Sequence, residues 1–139
     1  MTRRLTPEEL SQKLSNLKAA SIPAIEKAMK NAALNVQEQA KKNCTLGHSP
    51  YYKAPYSDDR DTKRDGEHMR DVMYSKVETT GTRINGIVGN PKPYSLWVHD
   101  GTSRMTARPF ILDAIKEKDL DTRAILSKAI EQTLQAECE

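Results

Sequence analysis

The chain has little aromatic content, no long apolar run and almost no charge imbalance. Aromatic residues are 5% of 139, with one Trp and one Phe, and apolar residues are 37%. That makes a lean core, of the kind expected in a subunit that buries further surface by assembling. No apolar run approaches the ~20 residues needed to span a bilayer, so no membrane partner is expected. The first residues, Met-Thr-Arg-Arg-Leu-Thr-Pro-Glu-Glu, lack an apolar signal core, and the product is expected to stay in the cytoplasm of the cell that makes it. A net charge of +3, from 22 basic and 19 acidic residues, is too small to argue for nucleic acid alone. The two cysteines, Cys44 and Cys138, are far apart and form no metal-ligand spacing. Free thiols in a reducing compartment are the expectation, and nothing in the sequence supports a disulfide.

What is present is strong helix chemistry at the start. Thr6-Pro7-Glu8-Glu9 combines a capping Thr, a Pro at the first helical position and a Glu that completes a capping box. Leu10, Leu14 and Leu17 mark one apolar stripe. Ser21-Ile22-Pro23 interrupts it, and Ser21 is expected to cap a second helix. Ile25, Met29, Ala32, Val36 and Ala40 continue that helix to about Lys42. Glu26, Lys27, Lys30, Gln37, Glu38 and Lys41 are expected on its solvated face.

Residues 44–66 have two Pro, two Gly and little periodicity. Structureless segments longer than ~12–15 residues in compact domains are usually functional or disordered. We expect an extended loop that orders against a neighbour. It interleaves Tyr51, Tyr52 and Tyr56 with Lys53, Arg60, Lys63 and Arg64, a combination that suits base stacking and phosphate contact. Asp58, Asp59, Asp61 and Asp65 nearly cancel that charge. Tyr and Arg are also enriched at protein interfaces, so a protein contact is the preferred reading.

A short helical turn over His68–Tyr74 is expected to feed a strand from Tyr74 to Thr79. Thr79-Thr80-Gly81-Thr82 is the preferred turn, because it leaves Ile84–Gly89 as a strand of sensible length. Asn85-Gly86 is the competing hairpin signal. Tyr94–His99 reads as a third strand, with Tyr94, Leu96 and Val98 on one face and Asp100-Gly101 stopping it. Trp97 would then lie on the outer sheet face, either as an interface anchor or under a C-terminal helix. Arg108-Pro109-Phe110 opens a helix, with Phe110, Ile111, Ala114 and Ile115 at helical spacing. Lys116-Glu117-Lys118-Asp119 marks a break or exposed turn. Leu120, Ala124, Ile125, Ala129, Ile130 and Leu134 describe a further amphipathic helix. The class is therefore α+β: long N-terminal helices packed on a small antiparallel sheet of about three strands, with one or two C-terminal helices, in one domain over residues 1–139.

His48, His68 and His99 are the histidines, and no catalytic or phosphate-binding motif surrounds them. A His99–Asp100 pair is awkward on a strand, where adjacent side chains point to opposite faces. A metal site would need His48, His68, Cys44 and loop carboxylates to converge with no recognised ligand spacing. Neither a catalytic residue, a metal nor a cofactor is expected.

The Tyr-rich strand ending in Gly101-Thr102, a loop, and then Arg108-Pro109-Phe110 with its helix resembles the tail-completion or neck protein family of long-tailed bacteriophages. That is the broad group of the lambda minor tail protein Z. Met69-Arg70-Asp71-Val72-Met73 and Val88-Gly89 sit where the family has a Leu-Arg-x-x-Ile element and a Val-Gly strand end. The likeness covers residues 66–116. The segment 44–66 is longer than the family's usual connection. The resemblance implies a virion protein, made in the host bacterial cytoplasm, that joins the head connector to the tail or completes the tail end. It implies a ring, most simply of six copies, with connector or neck proteins and the tail tube protein as partners and genome DNA passing nearby. Tyr51, Tyr52, Tyr56, Arg60, Trp97, Arg104 and Arg108 are the expected interface residues. The alternative is a small nucleic-acid-binding protein that uses the Tyr/Lys/Arg loop.

Overall fold

A capping box starts the longest element. In the computed structural model, which describes residues 4–46, 71–104 and 107–138, the Glu9 N–H donates to Thr6 Oγ1 at 3.2 Å. The Thr6 N–H donates to Glu9 Oε2 at 3.0 Å. Pro7 follows as the first residue of α1, which runs unbroken over Pro7–Leu46. Forty residues at ~1.5 Å each make it about 60 Å long.

The expected break at Ser21-Ile22-Pro23 does not occur. Pro23 lies inside α1. Ser21 does not cap a second helix; its hydroxyl donates back to the Lys18 carbonyl at 3.0 Å. A Pro inside a helix costs about 3 kcal/mol through a lost hydrogen bond and a ring clash. Packing of α1 against other elements offsets it: the last helix packs along it, Ala28 is buried, and Met29 and Ala33 meet a strand. The helix also extends past Lys42, so Cys44 is a buried helical residue and not the start of a loop. The rest of the expected loop, from residue 47, lies outside the described residues.

The sheet is a two-stranded antiparallel hairpin of β1 (Tyr74–Thr80) and β2 (Arg83–Gly89). Thr80 pairs with Arg83, which places the turn at Gly81-Thr82 and excludes Asn85-Gly86. Gly81 takes φ +59°, and no non-glycine residue among those described has positive φ. Glycine alone at the first central position is the pattern of a two-residue turn that follows strand twist.

The third strand is corrected to a helix. Ser95–Asp100 forms α2. The Val98 N–H bonds to the Tyr94 carbonyl at 3.1 Å, and the Gly101 N–H to the Trp97 carbonyl at 2.8 Å. Tyr94 and Val98, four apart, share a face in either conformation, so they could not discriminate. Leu96 does: a strand buries it with them, whereas the helix leaves it 62% exposed.

α3 (Phe110–Glu117) and α4 (Asp119–Cys138) follow, separated at Lys118 within the charged stretch that marked a break. Both pack on α1, as do the two strands. The protein is therefore α+β, with two strands among the described residues where about three were expected. One cluster joins Val36, Ala40, Cys44, Met73, Val98, Phe110 and Ala114, with Val88, Tyr94 and Ile111 against it. α1 contributes small side chains, Ala28, Ala32, Ala33 and Ala40, at its buried positions, which allows close approach.

Close approach is tightest where β2 crosses α1. A Cβ added at Gly86 would lie 2.8 Å from Met29 Sδ and 3.8 Å from Ala33 Cβ. Gly86→Val should therefore destabilise the fold by about 1–3 kcal/mol through overpacking, despite the better strand propensity of Val. Denaturant unfolding in the wild-type and Met29→Ala backgrounds checks the cause. The penalty should shrink in the Met29→Ala background, and an equal penalty in both would place the strain elsewhere.

Candidate functional site

Side chains expected on the solvated face of α1 in fact hold the hairpin. Gln37 Nε2 donates to the Met73 carbonyl at 2.7 Å, and the Ser75 hydroxyl donates to Gln37 Oε1 at 2.7 Å. Nearer the hairpin tip, the Thr79 hydroxyl donates to Glu26. One amide and one carboxylate thus set the hairpin's position along α1. Their polarity hid this role, since a polar residue at a helical position reads equally well as solvated.

A second joint fixes α2 and α3. Asn43 is buried, and its Nδ2 donates to the Phe110 carbonyl at 3.2 Å. Gln39 Nε2 donates to Asn43 Oδ1 at 3.0 Å, so both ends of the amide are held. The Arg108 N–H donates to the Val98 carbonyl at 2.9 Å, tying the strand-like approach to α3 onto α2. Arg108, expected at an interface, is buried in the single chain, where its backbone belongs to this joint. Its charge acts on Cys44, whose thiol burial pushes up from 9.0 to about 12 while Arg108 pulls it down. The thiol is free and buried, in the inert state of a core residue rather than the exposed, low-pKa state of a reactive one.

His99 and Asp100 do meet, contrary to the expectation from a strand. On α2, His99 Nδ1 lies 2.7 Å from Asp100 Oδ1, and the imidazole edge packs on Phe110 with ring centroids 5.4 Å apart. The carboxylate and Phe110 fix the ring's orientation. Among the described residues no three His, Cys, Asp or Glu side chains group as a metal site. No helix among them is long and apolar enough to cross a membrane. His48, His68 and the loop carboxylates lie outside the described residues.

On α2, Leu96 and Trp97 are 62% and 59% exposed and adjacent, and Arg104 is exposed on the loop that follows. The Arg104 N–H donates to Thr102 Oγ1 at 3.3 Å, which shapes that loop. Trp97 is on a helix and not on an outer sheet face. It is displayed, so the reading in which a C-terminal helix covers it does not hold. Tyr51, Tyr52, Tyr56 and Arg60 lie outside the described residues; Trp97 and Arg104 are both exposed.

A second apolar surface was read only as a helix stripe. Leu10 and Leu14, at the start of α1, are 49% and 57% exposed, and Leu5 just before them is exposed as well. α4 does not cover them. Ala136 and Glu137 near its end line the same groove as Ala20 and Ala24 of α1. The 13 residues from Pro7 to Ala19 therefore project about 20 Å beyond that groove. Burying a leucine side chain fully is worth about 1.5–3 kcal/mol, so two or three in one stripe form a substantial drive to associate.

Two outcomes check these assignments. Trp97→Ser should leave unfolding stability within about 0.5 kcal/mol of wild type, because the side chain packs on little in the isolated chain. The Cys44 thiol should give an alkaline signature. Its raised pKa contributes stability that is full below pH 9.0 and declines as pH rises from 9.0 towards about 12, because the unfolded chain releases the proton first. The slope is at most ~1.4 kcal/mol per pH unit. Unfolding followed across this range should show that decline in the wild type, with Cys44→Ala lacking the thiol's share of it.

Comparison with known proteins finds no match: no family model, no curated protein and no solved structure is similar to this chain.

Proposed function

We propose that this chain is a structural protein of a long-tailed bacteriophage virion, a ring subunit that joins the head connector to the tail or completes the tail end. The observation that carries the proposal is that exposed apolar side chains lie towards both ends of α1. Leu10 and Leu14 lie at the start of α1. Leu96 and Trp97 sit on α2, whose Val98 packs with Val36, Ala40 and Cys44 near the end of α1. From Leu14 to Val36 is 22 residues, about 33 Å along the helix. A subunit with two such surfaces can bridge two different neighbours, which is the geometry a joining protein requires. The likeness of the Gly101-Thr102 and Arg108-Pro109-Phe110 stretch to the neck family supplies the identity of those neighbours: the connector or neck proteins on one side and the tail tube on the other.

In this reading no bond is made or broken, and no cofactor takes part. Trp97 is the anchor for the partner beyond α2, since Trp offers a large rigid contact area at small entropic cost. Arg104, exposed on the loop that follows α2, is the residue that pairs with a partner carboxylate in this reading. Arg108 contributes indirectly, by holding the loop to α2. The chain is made in the host bacterial cytoplasm and ends in the virion.

Light scattering coupled to size exclusion tests the proposal, on the purified chain alone and mixed with tail tubes or connectors from the same phage. Co-elution with either is expected, and Trp97→Ser should weaken it by about 30-fold or more while leaving the fold intact, as for an aromatic hot spot of ~2 kcal/mol. Association with neither, together with salt-sensitive retention of DNA, would replace the proposal with the nucleic-acid alternative.

A further inference from the structure

We propose that Met29 is an oxidation-sensitive latch for the hairpin. Conversion of its thioether to the sulfoxide by hydrogen peroxide loosens β1 and β2 from α1, and reduction of the sulfoxide seats them again. The placement of the side chain carries this. Glu26, Met29, Ala33 and Gln37 follow at spacings of three and four, so they share one face of α1. Glu26 holds Thr79 near one end of β1, and Gln37 holds Ser75 near the other. From Glu26 to Gln37 is 11 residues, about 16 Å of helix. From Ser75 to Thr79 is about 14 Å of strand, so β1 lies along this face between two polar pins.

Met29 fills the interval between the pins. Val77, midway along β1, pairs with Gly86. A Cβ built on Gly86 would lie 2.8 Å from Met29 Sδ and 3.1 Å from its Cγ. The sulfur therefore lies against the middle of the hairpin. Ala33, next on that face, offers only a methyl group, so the thioether is the larger apolar contact there. Met29 is also within reach of solvent, being half-buried, whereas Met73 is 4% exposed in the core. A small oxidant can reach the one and not the other.

In the step itself, a sulfur lone pair attacks one oxygen of hydrogen peroxide. An S–O bond forms and the O–O bond breaks. The sulfur loses two electrons, and the departing hydroxide takes the proton of the transferred oxygen and leaves as water. The product is a polar sulfoxide in place of an apolar thioether. Kept in place, its oxygen is pressed against β2; swung out to water, it leaves a void beneath Gly86. Both remove the apolar contact between the pins. Both strands pack on α1, and a lone two-stranded hairpin is marginal in water, so the hairpin depends on this seat. A dithiol reverses the change: the S–O bond breaks, water leaves, the thioether returns and the dithiol becomes a disulfide.

Hydrogen exchange read by mass spectrometry tests this on the full chain, before and after hydrogen peroxide, with peptide mapping to locate each added oxygen. Wild type is expected to gain an oxygen at Met29 and none at Met73. Amides of β1 and β2 should then lose protection by about tenfold or more, while those of α4 keep theirs. Methionine sulfoxide reductases with a dithiol should restore the hairpin's protection. Met29→Leu, close in volume, should keep its hairpin protected through the same treatment, which separates Met29 from Met1, Met69 and Met105. Met29→Gln puts a polar group at the same place without an oxidant. It should show the loosened hairpin from the outset, and it carries the test if Met29→Leu does not fold. Three results would overturn the latch: Met29 sulfoxide with unchanged hairpin exchange, an equal loss of protection in peroxide-treated Met29→Leu, or no oxygen at Met29 at doses that fully oxidise free methionine.

Discussion

The continuity of α1 through Pro23 is the constraint on which the rest depends. Both strands, α3 and α4 pack on this one helix, and α3 and α4 touch each other little by comparison. Were the chain to break at Ser21, the Leu10–Leu17 stripe could turn onto the body and become core. The helix stays whole because α4 packs along it and the hairpin approaches Met29 and Ala33. That packing outweighs the proline's local cost. The result is a rod with a body along its later two-thirds and a projecting start.

Polar groups then decide where the other pieces sit on the rod. Hydrophobic burial by small residues is non-directional, and a stripe of Ala would let a hairpin slide. Gln37 and Glu26 stop it by holding Met73, Ser75 and Thr79 at two levels. Asn43 does the same for α3 through the Phe110 carbonyl, and the Arg108 backbone does it for α2. The lean core is thereby given a single arrangement, with Gly86 allowing the hairpin to come close enough to use it.

These two facts connect to the proposed role. A chain with one Trp and one Phe has few aromatic side chains, and its core mixes Ala28, Ala32, Ala33 and Ala40 with Val36, Met73, Val98 and Phe110. It nevertheless exposes large apolar side chains, among them Leu10, Leu14, Leu96, Trp97, Ile130 and Leu134. That distribution fits a subunit whose stability is completed by neighbours. The rigid helix keeps its two ends at a fixed separation, which a bridge between two partners needs.

Local chemistry determined a good part of this structure from the sequence. Thr6 through Glu9 specified the start of α1, because a capping box is satisfied within four residues. Gly81 specified the hairpin turn, and the charged run at Lys116–Asp119 the break between α3 and α4. Tyr94–His99 defeated sequence reading for a definite reason: residues four apart share a face in both strand and helix, and only the exposure of Leu96 separates the two. The inward position of Arg108, the roles of Gln37 and Glu26, and the unity of α1 across Pro23 were likewise settled by contacts with segments dozens of residues away. Leu10 and Leu14 make the same point for function. Their spacing established an apolar helical stripe, but a stripe looks alike whether it faces a core or a partner. Where α4 ends along α1 is a property of the packed molecule, and it alone turned that stripe from core into surface.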